Sequence, residues 1–310
     1  MIALVVVLAI LFAAAPATAA DLKGAIEAYR KGDLMAAYQP FLEAAKAGDA
    51  EAAYYLGAIA YKDGMLPDAG KWFCLAAEQG FVTGEYDCGV VHYRGLGRPA
   101  DPAAARAWFE RAAGHGHLLA EANLGSMLLF GDIGKADIEA GLAWLGKAAE
   151  RNEPHALYAL ALAAEQGLGQ SRDLKRALDL HRKAAAAGHA EAQNALGTFL
   201  LYGNGVARDP KAAFEWFRRA AQQNNPAGAF NLGSMYLKGT GVAADRIEAY
   251  RWFATAGLYG NDQMINRVAG VLYTIEEEMS EADLKRAATL VPDWEDRRYR
   301  EPPGLEPQTP

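Results

Sequence analysis

One interval runs through this chain. Gly95, Gly131, Gly167, Gly203 and Gly239 stand 36 residues apart, and Asp101, Asp137, Asp173, Asp209 and Asp245 keep the same spacing. Around the fourth of these, Gly203-Asn204-Gly205-Val206-Ala207-Arg208-Asp209-Pro210 reads as a helix end, a turn and a new helix start. The glycines allow positive φ, the Asp side chain can accept from free N–H groups, and Pro suits the first helical position.

Other columns obey the same interval. Trp72, Trp108, Trp144, Trp216 and Trp252 form one, with Leu180 in the remaining place. Leu124, Leu196 and Leu232 each precede a Gly, whereas Leu160 precedes Ala161. A closing turn recurs at Gly80, Gly116, Asn152, Gly188, Asn224 and Gly260, residues suited to the left-handed conformation at a helix end. Two helical runs per unit at a period of about 20 to 50 residues mean an α-solenoid. The Trp column reads as the large core knob of each unit, opposed by small residues at Ala52, Gly84, Ala120, Ala156, Ala192 and Gly228.

The run Leu196-Gly197 … Gly203-Asn204-Gly205-Val206 … Asp209 … Lys211-Ala212 … Trp216 … Ala220-Ala221 resembles the Sel1-like repeat, a relative of the tetratricopeptide repeat. The resemblance covers about residues 21 to 290. It implies an all-α, right-handed solenoid that works as a protein-interaction scaffold.

In chain order, residues 1–20 carry no charged side chain, and Ala17-Thr18-Ala19 has the small-x-small form of a signal-peptidase site. They are expected to be a signal peptide for export to the bacterial periplasm or beyond. The apolar run is short for an uncleaved anchor, so no stable membrane insertion is expected after cleavage. Residues 21–48 are expected to form an N-terminal capping helix pair. Six repeats follow at 49–80, 81–116, 117–152, 153–188, 189–224 and 225–260, the first four residues short. Residues 261–290 read as C-terminal capping helices, the last starting at Ser280, and 291–310 as a flexible Pro-rich tail.

Chemistry is sparse. The Gly-x-Gly turns follow no strand and lack Gly-Lys-Ser/Thr, so they are punctuation and not phosphate cradles. His115, His117 and His189 lack the Cys or carboxylate company of a zinc site, and His117 and His189 are two repeats apart. No metal, cofactor or catalytic residue is therefore expected, and the chain is read as a non-enzyme. A net charge of −7 argues against a nucleic-acid partner. Some cysteine-rich Sel1-like proteins are linked to β-lactam binding, which implies a cell-wall-active or β-lactam-binding enzyme as the alternative. This chain has two cysteines where that subgroup has a pair in every repeat.

The expected partner is a protein or peptide held in the solenoid groove. The helix position before the Leu-Gly pair carries Tyr55, Asp87, Asn123 and Asn231, side chains able to hydrogen-bond an extended backbone. The two Asn residues could equally satisfy helix ends or water. Cys74 and Cys88 flank the turn at Gly80, six and eight residues away. Antiparallel helices would bring them level, as a disulfide requires, although Cys88 also fits as a small core residue.

Overall fold

The computed structural model describes residues 19–131 and 134–291, so the expected signal peptide up to Thr18 and the expected tail from Pro292 lie outside the described residues. Among the described residues there are sixteen α-helices and no strand. They belong to two compact units, one ending at His117 and one starting at Leu118. The first holds α1 (Ala19–Arg30), α2 (Leu34–Lys46), α3 (Ala50–Lys62), α4 (Leu66–Glu78), α5 (Val82–Arg94) and α6 (Pro102–Gly114). The second holds α7 (Leu118–Phe130), α8 (Ile138–Glu150), α9 (Pro154–Gln166), α10 (Leu174–Ala186), α11 (Ala190–Tyr202), α12 (Pro210–Gln222), α13 (Pro226–Lys238) and α14 (Arg246–Tyr259), then α15 (Asp262–Glu277) and α16 (Glu281–Thr289). Each repeat is one helix pair.

The Asp column fixes the joint inside each pair from Asp101 onward. Its carboxylate caps the second helix, accepting from the N–H of Ala104, Ala140, Arg176, Ala212 and Glu248 at 2.9–3.1 Å. Its own N–H donates to a last-turn carbonyl of the first helix at 2.8–3.0 Å, so one residue ends one helix and starts the next. Gly203 and its equivalents hold φ between 64° and 77°. The second glycine of the turn has a further reason: a Cβ on Gly97 or Gly241 would overlap the backbone of Pro67 or Pro210, where the preceding repeat's second helix begins. Gly260 departs from its column, with φ −82°, and the chain there leads straight into α15.

The core knob is not the Trp. Trp72, Trp108, Trp144 and Trp216 are half-buried, while the residue after each, Phe73, Phe109, Leu145 and Phe217, is 0–1% exposed. One step along a helix turns the side chain by about 100°. In these four repeats the Phe or Leu takes the core place and the Trp the flank, whereas in the last repeat Trp252 and Phe253 are both buried. The indoles instead close the flank, under a cation from their own helix. Arg111, Lys147 and Arg219 lie 4.6–4.9 Å from the rings of Trp108, Trp144 and Trp216. The Phe column also explains the Leu-Gly column. A Cβ on Gly57, Gly89, Gly125, Gly197 or Gly233 would meet Phe73, Phe109, Leu145, Phe217 or Phe253 at 2.6–3.2 Å.

The fourth repeat changes both partners together, to Ala161 and His181. The smaller ring leaves room for a methyl group, and His181, fully buried, bonds Glu165 Oε1 through Nε2 at 2.5 Å. His181→Phe alone is therefore expected to overpack this site, costing about 1–3 kcal/mol. Adding Ala161→Gly should recover most of that loss. Urea denaturation of the two variants checks the coupling, and equal stabilities would refute it.

At the C-terminal end, Val268 and Ile275 of α15 pack into the cluster that holds Trp252 and Phe253, while α16 packs on α14. Ser280 caps α16 by accepting from Asp283 N–H at 3.1 Å. No helix among the described residues is long and apolar enough to cross a membrane.

Candidate functional site

The four groove candidates meet different fates. Tyr55 is 8% exposed and packs on the N-terminal helices, its ring stacked on Phe41 at 4.8 Å and edge-on to Tyr29 at 5.1 Å. Asp87 is 1% exposed. Burial drives its carboxyl well above the usual carboxylate range, against a smaller opposite pull from the Tyr54 hydroxyl. Burial, then Asp87, raises Tyr54 in turn. Tyr55 and Asp87 are thus joined through Tyr54 in a buried cluster, and neither offers a surface to a ligand. The sequence reading missed this because helix position alone does not distinguish an open groove from a packed one. Asn123 and Asn231 are half-buried, on α7 and α13.

Asn231 lines a cavity of about 520 Å³ in the second unit. The cavity is bounded by first helices of successive repeats. Leu201 and Tyr202 come from the end of α11, Phe230, Asn231, Ser234, Met235 and Lys238 from one face of α13, and Arg267 from α15. Arg208 and Thr240 enter from the turns after α11 and α13. The Asn231 amide donates to Asn194 Oδ1 at 2.8 Å, and Ser234 Oγ donates to the Phe230 carbonyl at 2.9 Å. Arg267 lies over the Phe230 ring at 3.9 Å, and Arg208 Nε donates to the Leu201 carbonyl at 3.0 Å.

Charge distinguishes the cavity. Arg208, Lys238 and Arg267 line it, no Asp or Glu does, and none of the three forms an ion pair among the described residues. Two buried carboxylates elsewhere hold cations closely. Glu85, fully buried, holds Arg111 and His115 at 2.9 Å each, and buried Glu121 holds Lys147 at 2.5 Å and Arg151 at 3.6 Å. Asn231 was legible from its column; the cations were not. Arg208 shares its place with Arg172, which bonds the Glu165 carbonyl in the same way, but Arg267 belongs to a degenerate pair that no column marks.

The other histidine cluster is structural. His189 caps α11, accepting from Ala192 N–H through Nδ1 at 3.3 Å, and stacks on Tyr158 at 4.7 Å. Burial depresses it to about pH 4 from 6.5, with His155 and His181 acting in the same direction and Glu191 opposing. A depressed histidine binds its proton more readily when unfolded, so stability should fall as pH drops from 6.5 towards about 4. His189→Asn keeps the cap, as Asn225 does in the next repeat, and should remove this part of the acid loss in pH-dependent melting. An unchanged slope would contradict the assignment.

Cys74 on α4 and Cys88 on α5 are joined as a disulfide, with Cα atoms 4.8 Å apart. Fully buried Cys88 keeps its core place as well.

Helix pairs recurring at a fixed interval, with no strand among the described residues, define an all-α repeat fold. The Sel1 repeat family model matches residues 50–81, 82–117, 118–153, 154–189, 190–225 and 226–258, and the chain belongs to this family. Among solved structures, a Sel1 repeat protein from Oxalobacter formigenes is 29% identical with a TM-score of 0.65, over 81% of this chain and 75% of its own. A protective antigen present in uropathogenic Escherichia coli strains, displaying an SLR fold, is 26% identical with a TM-score of 0.53, over 87% of this chain and 67% of its own. No curated protein matches the chain.

Proposed function

We propose that this protein is a non-catalytic scaffold that binds another protein by holding an extended, acidic segment of it in the cavity at α11, α13 and α15. The observation that carries this is the trio Arg208, Lys238 and Arg267, lining one cavity without a carboxylate in a chain of net charge −7. The three cations are exposed, so they cost little until a carboxylate arrives, and each exposed ion pair then contributes about 0.2–1 kcal/mol. Tyr202 and Phe230 would take apolar side chains between the acidic ones, and Asn231 the backbone. Bond chemistry finds no support here: Ser234 gives its hydroxyl to a main-chain carbonyl, and no His or carboxylate lines the cavity to accept a proton.

Selection of random peptides on the full chain tests this. Sequences rich in Asp and Glu should be recovered, and Lys238→Glu with Arg267→Glu should weaken them by about 2- to 30-fold, two exposed ion pairs at about 0.2–1 kcal/mol each. Recovery of neutral or basic peptides, unaffected by the double variant, would refute it. We place the protein in an exported compartment, read from residues 1–20 and supported by the disulfide. N-terminal sequencing of the exported chain should begin at Ala20 or Asp21; recovery of Met1 would sink that reading.

A further inference from the structure

The disulfide has a third neighbour. His92 follows Cys88 by four residues on α5, so both side chains leave the same helix face. Cys74 approaches from α4. One donor atom from each of the three lies within 4.8 Å of the others. His92 is only 8% exposed, and its Nδ1 is buried with no hydrogen-bond partner among the described residues. Buried ring nitrogens are normally satisfied, and leaving one unpaired is costly. Its Nε2 lies 3.3 Å from Nη1 of Arg98, an exposed side chain free to turn to solvent.

We propose that the dithiol form of this cluster binds zinc(II) through Cys74 Sγ, Cys88 Sγ and His92 Nδ1. A dithiol or phosphine reductant supplies two electrons to the S–S bond. Each sulfur takes up a proton: a dithiol gives up its own two and leaves as its disulfide, whereas with a phosphine one water supplies both protons and the oxygen of the phosphine oxide. Zinc(II) then displaces the two thiol protons. Two thiolates and one neutral imidazole around a doubly charged ion make a set of zero net charge, which a buried place tolerates. Two sulfurs and one imidazole suit zinc, with a fourth position left open. Tetrahedral Zn–S bonds of about 2.3 Å put the sulfurs about 3.8 Å apart, a separation that side-chain rotation reaches from the present Cα positions. Ligation at Nδ1 moves the ring proton to Nε2 and releases Arg98. Half-buried Cys74 gives reductant and ion their entry. The disulfide and the metal site are then alternative states of the same three residues, and the oxidised chain cannot hold the ion.

The test uses the full chain, reduced with a phosphine under nitrogen, and zinc(II) as the only added ligand, competed against a chromophoric zinc indicator. The reduced chain should bind one zinc per molecule and melt higher with it, whereas the oxidised chain should do neither. Cys88→Ser should abolish binding. His92→Gln, which keeps the bulk, should weaken it by at least about tenfold, since losing even an outer-shell partner costs that much. Arg98→Ala should bind at least as tightly as the natural chain. The proposal fails if the reduced chain takes up no stoichiometric zinc. It also fails if His92→Gln binds as tightly as the natural chain while both stay folded by circular dichroism.

Discussion

Phe217→Ala is expected to destabilise the second unit by about 3–5 kcal/mol, and Trp216→Ala, one residue earlier, by about 1–2 kcal/mol. The larger loss belongs to the smaller side chain. Phe217 is wholly buried, its ring against Gly197 so closely that a Cβ there would come within 2.7 Å. Alanine at 217 leaves a cavity between two stiff helices, which cannot collapse to fill it. Trp216 loses only a half-buried face and its contact with the Arg219 guanidinium, itself worth about 0.5–1 kcal/mol at an exposed site. Denaturant unfolding of both variants gives the order directly. A Trp216 variant weaker than the Phe217 variant would return the indole to the core and overturn the packing described above.

Reduction of the disulfide, or Cys74→Ser with Cys88→Ser, is expected to cost about 3 kcal/mol on the chain-entropy account of a short loop. The bridge closes a sequence separation of 14 and ties α4 to α5 in the first unit. The loss should therefore appear as earlier unfolding of that unit. Thiol titration of the unfolded, unreduced protein should find no free thiol. Two free thiols, or unchanged unfolding after reduction, would contradict the bridge as a stabilising element.

The repeats were legible in the sequence because turns demand particular residues. Positive φ at Gly203 and capping at Asp209 are chemical requirements that recur wherever the turn recurs. The Trp column was legible as a column but not as a position in the packing. Periodicity of 36 marks Trp216 and Phe217 equally, and conspicuous size favoured the wrong one. The linked change to Ala161 and His181 was a clue, since two columns that change in the same repeat are candidates for contact. Glu85 and Glu121 give a similar clue. They share a column, as do Arg111 with Lys147 and His115 with Arg151, which is the pattern of a buried ion pair carried from repeat to repeat. For the site, Asn231 came from its column, whereas Tyr55 and Asp87 came from the same column and are buried. The capping helices cover Tyr55, and Tyr54 flanks Asp87, so the column marks a helix position but not what packs over it. Arg267 lies where the period has decayed, so only the packing of α15 beside α13 brings it to the cavity.

The most direct measurement is calorimetric titration of the full chain with an acidic peptide recovered by selection, beside the same peptide with Gln for each Glu and Asn for each Asp. Each is run at about 0.1 M and about 1 M salt, which shortens the screening length from about 10 to about 3 Å. The account predicts salt-weakened binding of the acidic peptide only, weakened again in Lys238→Glu with Arg267→Glu. Equal affinity for the neutral peptide, or affinity indifferent to both salt and the double variant, would contradict it.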